Sequence, residues 1–412
     1  MGFQTVRGMK DFIEDDGVLL QRIFDVCRRN YELFGYIPAF TPAVESFDLL
    51  AAKSAAGDAI KNEIYYFKDK SERELGLRFD FTVPLGRIAS SNNLAKPFKR
   101  FQIGKVWRYD RPGANRYREF YQADGDILGV DSIEAEVELI KIIKKTLDDL
   151  GIKGKVRVNN REFMDQLLEG FGFKGKLTDF LRIIDKSDKL GEKAVVEELQ
   201  QNGFSIELFN FLKTNSLDKA EKILKNFSGF NSLKLFLSRV ESLGLKDFVV
   251  VDFSLARGLD YYTGMVFEIS SDIGLSIGGG GRYDRLVENY GGSPTSAVGI
   301  SFGVSRLFDI LKERNDSKFR NVLFVCSLNQ NVESEKLEES LRLNGICVES
   351  NFLNKSIKKS IEYCLKRNIR FFCVIGDDEI KQRKFVIRDL ANSTEKEFFF
   401  KYSDEIQEFL KN

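Results

Sequence analysis

The sequence predicts an α+β protein of two or three domains, on three observations. Strand-like stretches that pair as hairpins fill residues 63–128 and return at 247–303. Amphipathic helical segments interrupt them between 161 and about 240. Past a polar stretch, KERNDSKFR at 312–320, strand and helix patterns alternate. At about 150 residues per domain, the 412-residue length fits that count, and 33 Gly with 6 Pro are too few for a disordered or fibrous chain.

The elements follow in order. Residues 17–34, GVLLQRIFDVCRRNYELF, carry apolar side chains at helical spacing, and Gly35 stands where a left-handed cap ends a helix. The prolines of IPAFTPAVESFDLL forbid a helix interior and favour an extended lead-in. EIYYFKD and LGLRFDFTVPLGR read as strands around a turn. KRFQIGKVWRYDR and RYREFYQADGDILG read as a long antiparallel hairpin closed by PGAN. DSIEAEVELIKIIKKTLDDL, 131–150, is a helix with Asp131 and Glu134 at capping-box spacing and Gly151 at its stop.

EKAVVEELQQ and SLDKAEKILKNF belong to the helical insert. DFVVVDFSLARG, YYTGMVFEIS and LSIGGGGRYD restore strand character, and a further strand precedes the helix of SRLFDILKER. The last part reads strand 322–327, helix 331–343, strand 346–350, helix 356–367, strand 370–375 and strand 384–389. This is an α/β domain of about 90 residues.

The chain contains no histidine. That excludes Ser-His-Asp and Cys-His catalysis, an imidazole general base and every histidine-ligated metal site. Catalysis must use carboxylates, cations, backbone groups or a bound cofactor. Five cysteines, an odd number with no Cys-x-x-Cys pair, argue against a disulfide framework and a thiolate zinc site, so no tightly bound zinc or haem is expected. With Lys+Arg at 63 and Asp+Glu at 62, no net field draws the molecule to nucleic acid or membrane, although local basic faces are allowed. MGFQTVRGMKDF has no signal-peptide pattern, Val6 breaks the myristoylation pattern, and no apolar run approaches the roughly 20 residues that span a bilayer. The expected location is cytoplasmic, with no membrane partner.

Three constellations concentrate reactive side chains, and spacing leaves two readings for each. Arg108, Arg111, Arg116 and Arg118 lie around the predicted hairpin, and a period of two aligns Arg116, Arg118, Phe120 and Gln122. They form either a salt-bridged ribbon or a polyphosphate clamp, since guanidinium forks hold phosphate oxygens bidentately. Gly278 to Gly281, followed by Arg282, give either a close backbone approach to a ligand or a bend in a sheet. The run fits neither GxGxxG nor the P-loop. ARGLDYYTG, 256–264, is either a site at a strand end or a buried Tyr–Asp cluster.

In this order the segments resemble the histidyl-tRNA synthetase family of class II aminoacyl-tRNA synthetases over nearly the whole chain. RGMKDF at 7–12 is similar to the family's amino-terminal signature and PAFTPAVESFDLL to its dimer-forming motif 1. WRYDRPGANRYREFYQADGD resembles motif 2, and AVGISFGVSRL resembles motif 3. ARGLDYYTGMVFE and SIGGGGRYDRLVE resemble the two signatures by which this family binds histidine. LRFDFTVPLGR looks closer to the archaeal and eukaryotic branch than to the bacterial one. Departures are Tyr109 and Tyr121, where many members carry histidine, Arg285 in place of a small residue, and the short PGAN loop.

The resemblance implies an antiparallel-sheet catalytic core, residues 1–160 and 241–315, with a helical insertion at 161–240 that approaches the tRNA. An α/β anticodon-binding domain follows at 321–412. It also implies a homodimer, ATP with Mg²⁺, and two steps: activation of L-histidine to histidyl-adenylate, then transfer to histidine tRNA. Residue by residue, Arg108 would hold the α-phosphate, Phe120 would stack on adenine, and Arg116 and Arg306 would bind the rest of ATP. Asp80 would engage the substrate amino group. Gln122, Asp126, Tyr261 and Tyr262 would surround histidine above Gly279 and Gly281. Arg257 would sit beside the carboxylate and α-phosphate. The alternative within this resemblance is a non-catalytic, histidine-sensing relative such as the regulatory subunit of ATP phosphoribosyltransferase.

Overall fold

The computed structural model describes residues 3–52, 63–113, 116–172, 179–180, 183, 191–223, 228–255, 261–314, 320–328 and 332–411. The chain divides into two compact units, Met1–Phe12 with Leu20–Leu311, and Ile13–Leu19 with Lys312–Asn412.

In chain order the elements of the larger part are α1 (Glu14–Leu33), β1 (Ile37–Pro38), β2 (Val44–Ser46), α2 (Phe47–Ala51), β3 (Tyr66–Lys68), β4 (Glu74–Leu77), α3 (Thr82–Ser91), β5 (Phe98–Trp107), β6 (Glu119–Leu128), α4 (Glu134–Asp149), β7 (Gly154–Asn160) and α5 (Arg161–Gly170). The helices α6 (Glu192–Gln201), α7 (Ile206–Thr214), α8 (Leu217–Ile223) and α9 (Ser228–Ser242) come next. They are followed by β8 (Val249–Val251), β9 (Met265–Ser271), β10 (Ser276–Arg282), α10 (Leu286–Asn289), β11 (Ala297–Gly303) and α11 (Val304–Glu313). Eight strands form one sheet in the order β1-β5-β6-β11-β10-β9-β7-β8. The six central strands run antiparallel to their neighbours, and β1 and β8 are added in parallel at the two edges. One face of β6 rests on α1, where Tyr31 donates its hydroxyl to Ala123 O at 3.1 Å beneath the side-chain-free Gly125. The other face carries the candidate site.

Three local readings change. FDFTVPLGR is not strand: β4 stops at Leu77 and α3 begins at Thr82. Pro84 sits in the first turn, where its missing N–H has no helical partner to lose. The capping box ahead of α4 does not form, because the Ser296 hydroxyl bonds Asp131 and Arg239 bonds Glu134 at 3.0 Å. The hairpin is open for longer than PGAN. Paired strand ends at Trp107 and resumes at Glu119, with Arg108 N bonded to Arg118 O at 2.9 Å across the gap. The turn glycines behave as read, Gly35 and Gly151 having φ of 78° and 69°.

The second unit contains β12 (Arg320–Ser327), α12 (Val332–Leu343), β13 (Val348–Ser350), α13 (Ile357–Lys366), β14 (Ile369–Ile375), α14 (Asp377–Gln382), β15 (Lys384–Asp389), β16 (Thr394–Phe399) and α15 (Asp404–Lys411). Its sheet order is β13-β12-β14-β15-β16, parallel through β14 and antiparallel beyond. Leu323, Val325, Phe371, Ile375, Ile387 and Ile406 pack its core. Sequence patterning located β12, α12, β13, α13, β14 and β15 but not α14, β16 or α15. Among the described residues no helix is long and apolar enough to cross a membrane.

Candidate active site

Strand alternation puts Gln122, Asp124 and Asp126 of β6 on one face. The register places them opposite Gly303, Ser301 and Gly299 of β11, and Gly279 and Gly281 of β10 stand opposite Ser301 and Gly299 in turn. Side chains are therefore almost absent beside the polar row, which lies along the floor of a trough. The glycines are sterically required there. A methyl at Gly299 would collide with Asp126 Oδ1 and the Tyr283 hydroxyl, and one at Gly281 would lie 2.8 Å from the Tyr262 ring.

The floor is charged and dry. Arg100, 1 % exposed, places Nη2 2.7 Å from Asp126 Oδ2 and 3.0 Å from Phe81 O. The Tyr283 hydroxyl donates to Asp126 Oδ1. Tyr261 stacks on Tyr283 with ring centres 5.3 Å apart and lies 4.5 Å from Tyr262. Burial is the main reason that all three phenols are shifted upward, and they stay neutral hydrogen-bonding groups. Asp124 is as buried as Asp126. Its carboxyl is pushed up to about 7, first by burial and then by the charge of Asp126, with Arg100 pulling the other way. Gln122 Oε1 is buried without a hydrogen-bond partner among the described residues, and Ser301, which faces Asp124 across the strand pair, only partly offsets the burial of that carboxyl. An unsatisfied polar atom in such a trough is costly unless a ligand completes it. Asp80 lies at the start of α3, where its Oδ1 accepts from the amides of Thr82 and Val83 at 3.1 and 3.0 Å.

The arginines separate into different environments. Arg108 bonds Phe79 O at 3.2 Å, and its guanidinium lies 5.2 Å from the Phe120 ring centre. Arg116 is 60 % exposed in the loop before β6 and grips Asp110 through Nε and Nη2 at 3.1 and 3.0 Å. It does not extend the face of Phe120 and Gln122, because β6 begins only at Glu119. Of the two readings of this arginine group, the salt-bridged one describes Arg116, whereas Arg108 lies against the aromatic ring. Arg306, in the first turn of α11, donates to Ser276 O at 2.6 Å. The amino-terminal signature reaches the same region: Arg118 N bonds Gly8 O at 2.8 Å, and the Phe12 ring meets Phe308 at 5.0 Å. Arg257 and Asp260 lie outside the described residues.

Sequence reasoning missed Arg100, Asp124, Tyr283, Ser301 and Gly299 as parts of this trough. Period two from Gln122 to Asp126 passes through Asp124 and was the available signal. Nothing local ties Arg100 to Asp126, which meet only through the register of β5 with β6. Among the described residues no group of three or more carboxylate or thiol side chains is placed to hold a metal ion.

A glycine-lined trough of buried carboxylates and phenols on an antiparallel sheet, flanked by an arginine against an aromatic ring, defines a class II aminoacyl-tRNA synthetase core. A family profile described as histidyl-tRNA synthetase matches residues 8–307, and one described as anticodon binding domain matches 322–411. A histidine–tRNA ligase of Pyrobaculum islandicum is 35% identical over 402 residues, covering 94% of each chain. The crystal structure of histidyl-tRNA synthetase from Nostoc sp. PCC 7120 superposes with a TM-score of 0.84 at 29% identity, covering 100% of this chain and 99% of that one. A Bacillus halodurans C structure described as an ATP phosphoribosyltransferase regulatory subunit/histidyl-tRNA synthetase has a TM-score of 0.75 at 22% identity. It covers 90% of this chain and 98% of its own, a likeness of fold alone. The chain belongs to the histidyl-tRNA synthetase family.

Proposed function

We infer that the protein is an ATP-dependent histidine–tRNA ligase. A carboxylate oxygen of L-histidine attacks the α-phosphorus of ATP, pyrophosphate leaves, and the terminal ribose hydroxyl of histidine tRNA then takes the histidyl group with release of AMP. The observation that carries this reading is the trough itself. An imidazole offers two ring nitrogens, and Gln122, Asp126, Tyr261 and Tyr262 supply amide, carboxylate and phenol groups to meet both. An apolar rival would leave the buried Gln122 amide oxygen without a partner. Asp124 adds a further acceptor on the same face.

In this reading Asp80 receives the substrate amino group, and Gly279 and Gly281 keep the floor clear. Phe120 stacks on adenine, with Arg108 on the α-phosphate and Arg116 and Arg306 on the outer phosphates. Arg116 then exchanges Asp110 for phosphate. Arg257 stabilises the charge that gathers at the α-phosphate as the new bond forms, a task needing a fixed cation and no proton transfer, which suits a chain without histidine. Mg²⁺ enters as part of the MgATP substrate, since it is commonly held by substrate phosphates and waters.

We assign residues 1–160 and 241–315 to the catalytic domain, 161–240 to an inserted helical domain that approaches the tRNA, and 321–412 to the anticodon-binding domain. A homodimer formed through the motif 1 region is supported by the exposed apolar side chains of Leu33, Ile37, Phe40 and Val44. Five free cysteines suit a reducing cytoplasm. Histidine-dependent ATP–pyrophosphate exchange followed by charging of purified histidine tRNA tests the function, and both activities are expected. Histidine binding without exchange would identify a regulatory relative instead.

A further inference from the structure

Arg78, just past the end of β4, is a buried cation whose hydrogen bonds among the described residues go to backbone carbonyls and a hydroxyl, with none to a carboxylate. It is 8% exposed and lies between two rings, its guanidinium 4.8 Å from the centre of Phe81 and 5.8 Å from that of Trp107. Burial lowers its pKa from the ordinary arginine value. Glu45, whose charge acts the other way, is itself paired with Arg87 at 2.9 Å. A buried charge without an ion-pair partner costs stability, and a well-packed apolar side chain of similar volume avoids that cost. What the guanidinium does and an apolar chain cannot is hold strands in place.

The fork joins three segments. Nε donates to Lys105 O at 3.1 Å, while Nη1 donates to Thr41 O at 2.5 Å and to Pro42 O and the Thr41 hydroxyl, each at 3.2 Å. The backbone repeats the stitch: Arg78 N donates to Ala43 O at 2.9 Å, and Arg78 O accepts from Trp107 N at 3.0 Å. Each of the next three residues holds a piece of the site. Phe79 O accepts from Arg108 Nε at 3.2 Å, Asp80 caps α3, and Phe81 O accepts from Arg100 Nη2, the nitrogen that lies 2.7 Å from Asp126. One guanidinium thus fixes residues 78–81 against β5, and with them the spacing among Arg108, Asp80 and Asp126.

We propose that Arg78 is a positioning residue that sets the distance between the amino-acid end and the phosphate end of the trough without touching either substrate. The inference rests on the ligase reading, in which Asp80 and Asp126 take histidine and Arg108 takes the α-phosphate. Each substrate alone tolerates a small shift of its own end, because that end moves as a piece. Only a molecule that spans both, the adenylate or the transition state leading to it, senses the spacing, and a misplacement of about 1 Å can lower a rate by about 10²-fold.

The test compares three ligands on the full chain: histidine, ATP and a non-hydrolysable analogue of histidyl-adenylate. Arg78→Lys keeps the charge but loses the planar fork, so it cannot reach Lys105 O together with the Thr41 and Pro42 carbonyls. It should bind histidine and ATP within about threefold of wild type, bind the analogue about 10²-fold more weakly, and lose a similar factor in the kcat of pyrophosphate exchange. Thr41→Val, which removes the hydroxyl that Arg78 and Gln102 share, should show the same selective loss on the analogue, up to about tenfold, the scale of one hydrogen bond. Equal losses on all three ligands would reduce Arg78 to a fold-holding residue and overturn the proposal. So would wild-type affinity for the analogue in a folded Arg78→Lys, or in Thr41→Val where the lysine variant does not fold. A wild-type chain that binds the analogue no more tightly than histidine would instead defeat the ligase reading, and this proposal with it.

Discussion

Two aspartates, equally removed from solvent, stand in the eight-stranded and the five-stranded sheet and behave in opposite ways. Asp389, 3% exposed at the end of β15, accepts from Arg370 Nη2 at 2.8 Å, from the Ala391 and Asn392 amides at 2.9 and 3.2 Å, and from Asn392 Nδ2 at 3.0 Å. Burial pushes its pKa up, but these donors more than offset burial and hold it below the usual carboxylate range. Asp124, 4% exposed in β6, has Asp126 beside it, Arg100 and Ser301 do not offset its burial, and its pKa rises to about 7. A completed shell marks a carboxylate that closes a turn. An uncompensated one, in a trough with the unpartnered Gln122 amide oxygen, marks a place prepared for something else. Substitutions should accordingly cost folding at the first kind of site and chemistry at the second.

The largest effect expected is chemical. Arg257→Ala should lower pyrophosphate exchange by about 10²- to 10³-fold, the scale for removing one group that stabilises transition-state charge, with a much smaller change in histidine Kd. An ordinary exchange turnover in that variant would remove Arg257 from the role. Asp389→Ala should act oppositely: a loss of about 3 kcal/mol in denaturant unfolding, from stranding Arg370 and three turn donors, with exchange per folded molecule unchanged. A loss of exchange without a loss of stability would abolish the distinction between the two sheets. Asp126→Asn, which keeps shape but not charge, should raise the histidine KM roughly tenfold and weaken discrimination against analogues lacking a ring nitrogen. Unchanged KM and discrimination would count against the assignment.

The contrast also separates what sequence can and cannot express. Helix periodicity and turn glycines are local, so α1, α4 and most of the terminal α/β alternation were legible. The failures fall where a particular side-chain partner, distant or local, overrides the pattern. Asp131 and Glu134 have capping-box spacing, yet Ser296 and Arg239 take them. FDFTVPLGR has strand composition, yet Asp80 binds the first amides of α3. In the site, motif order indicated Gln122, Asp126 and the glycine run because they are contiguous patterns. Arg100 and Gly299 meet Asp126 through strand register, and Tyr283 reaches it from just beyond the end of β10, neither of which composition encodes. The shell of Asp389 is likewise half cross-strand, with Arg370 on β14, and no spacing rule announces it.

The pH dependence is the most direct reading of the contrast, because it is a difference in sign. Unfolded, Asp124 titrates near 3.9; folded, it titrates at about 7. Between those values the native state holds a proton that the unfolded chain has released, so stability falls as pH rises through the window, by up to about 1.4 kcal/mol per pH unit, and is level above it. Asp124→Asn removes the penalty. Its Tm advantage over wild type, measured without substrates, should grow from pH 5 to pH 7 and be constant beyond pH 8. Asp389, ionised in both states throughout that range, should give no such slope when replaced, because its stabilisation is lost only as pH falls through its depressed folded value. Saturating histidine should flatten the Asp124 slope, since a ring N–H donated to the carboxylate favours its ionised form. A Tm difference independent of pH, with or without histidine, would mean that Asp124 is satisfied like Asp389 and that the trough is not waiting for a donor at that position.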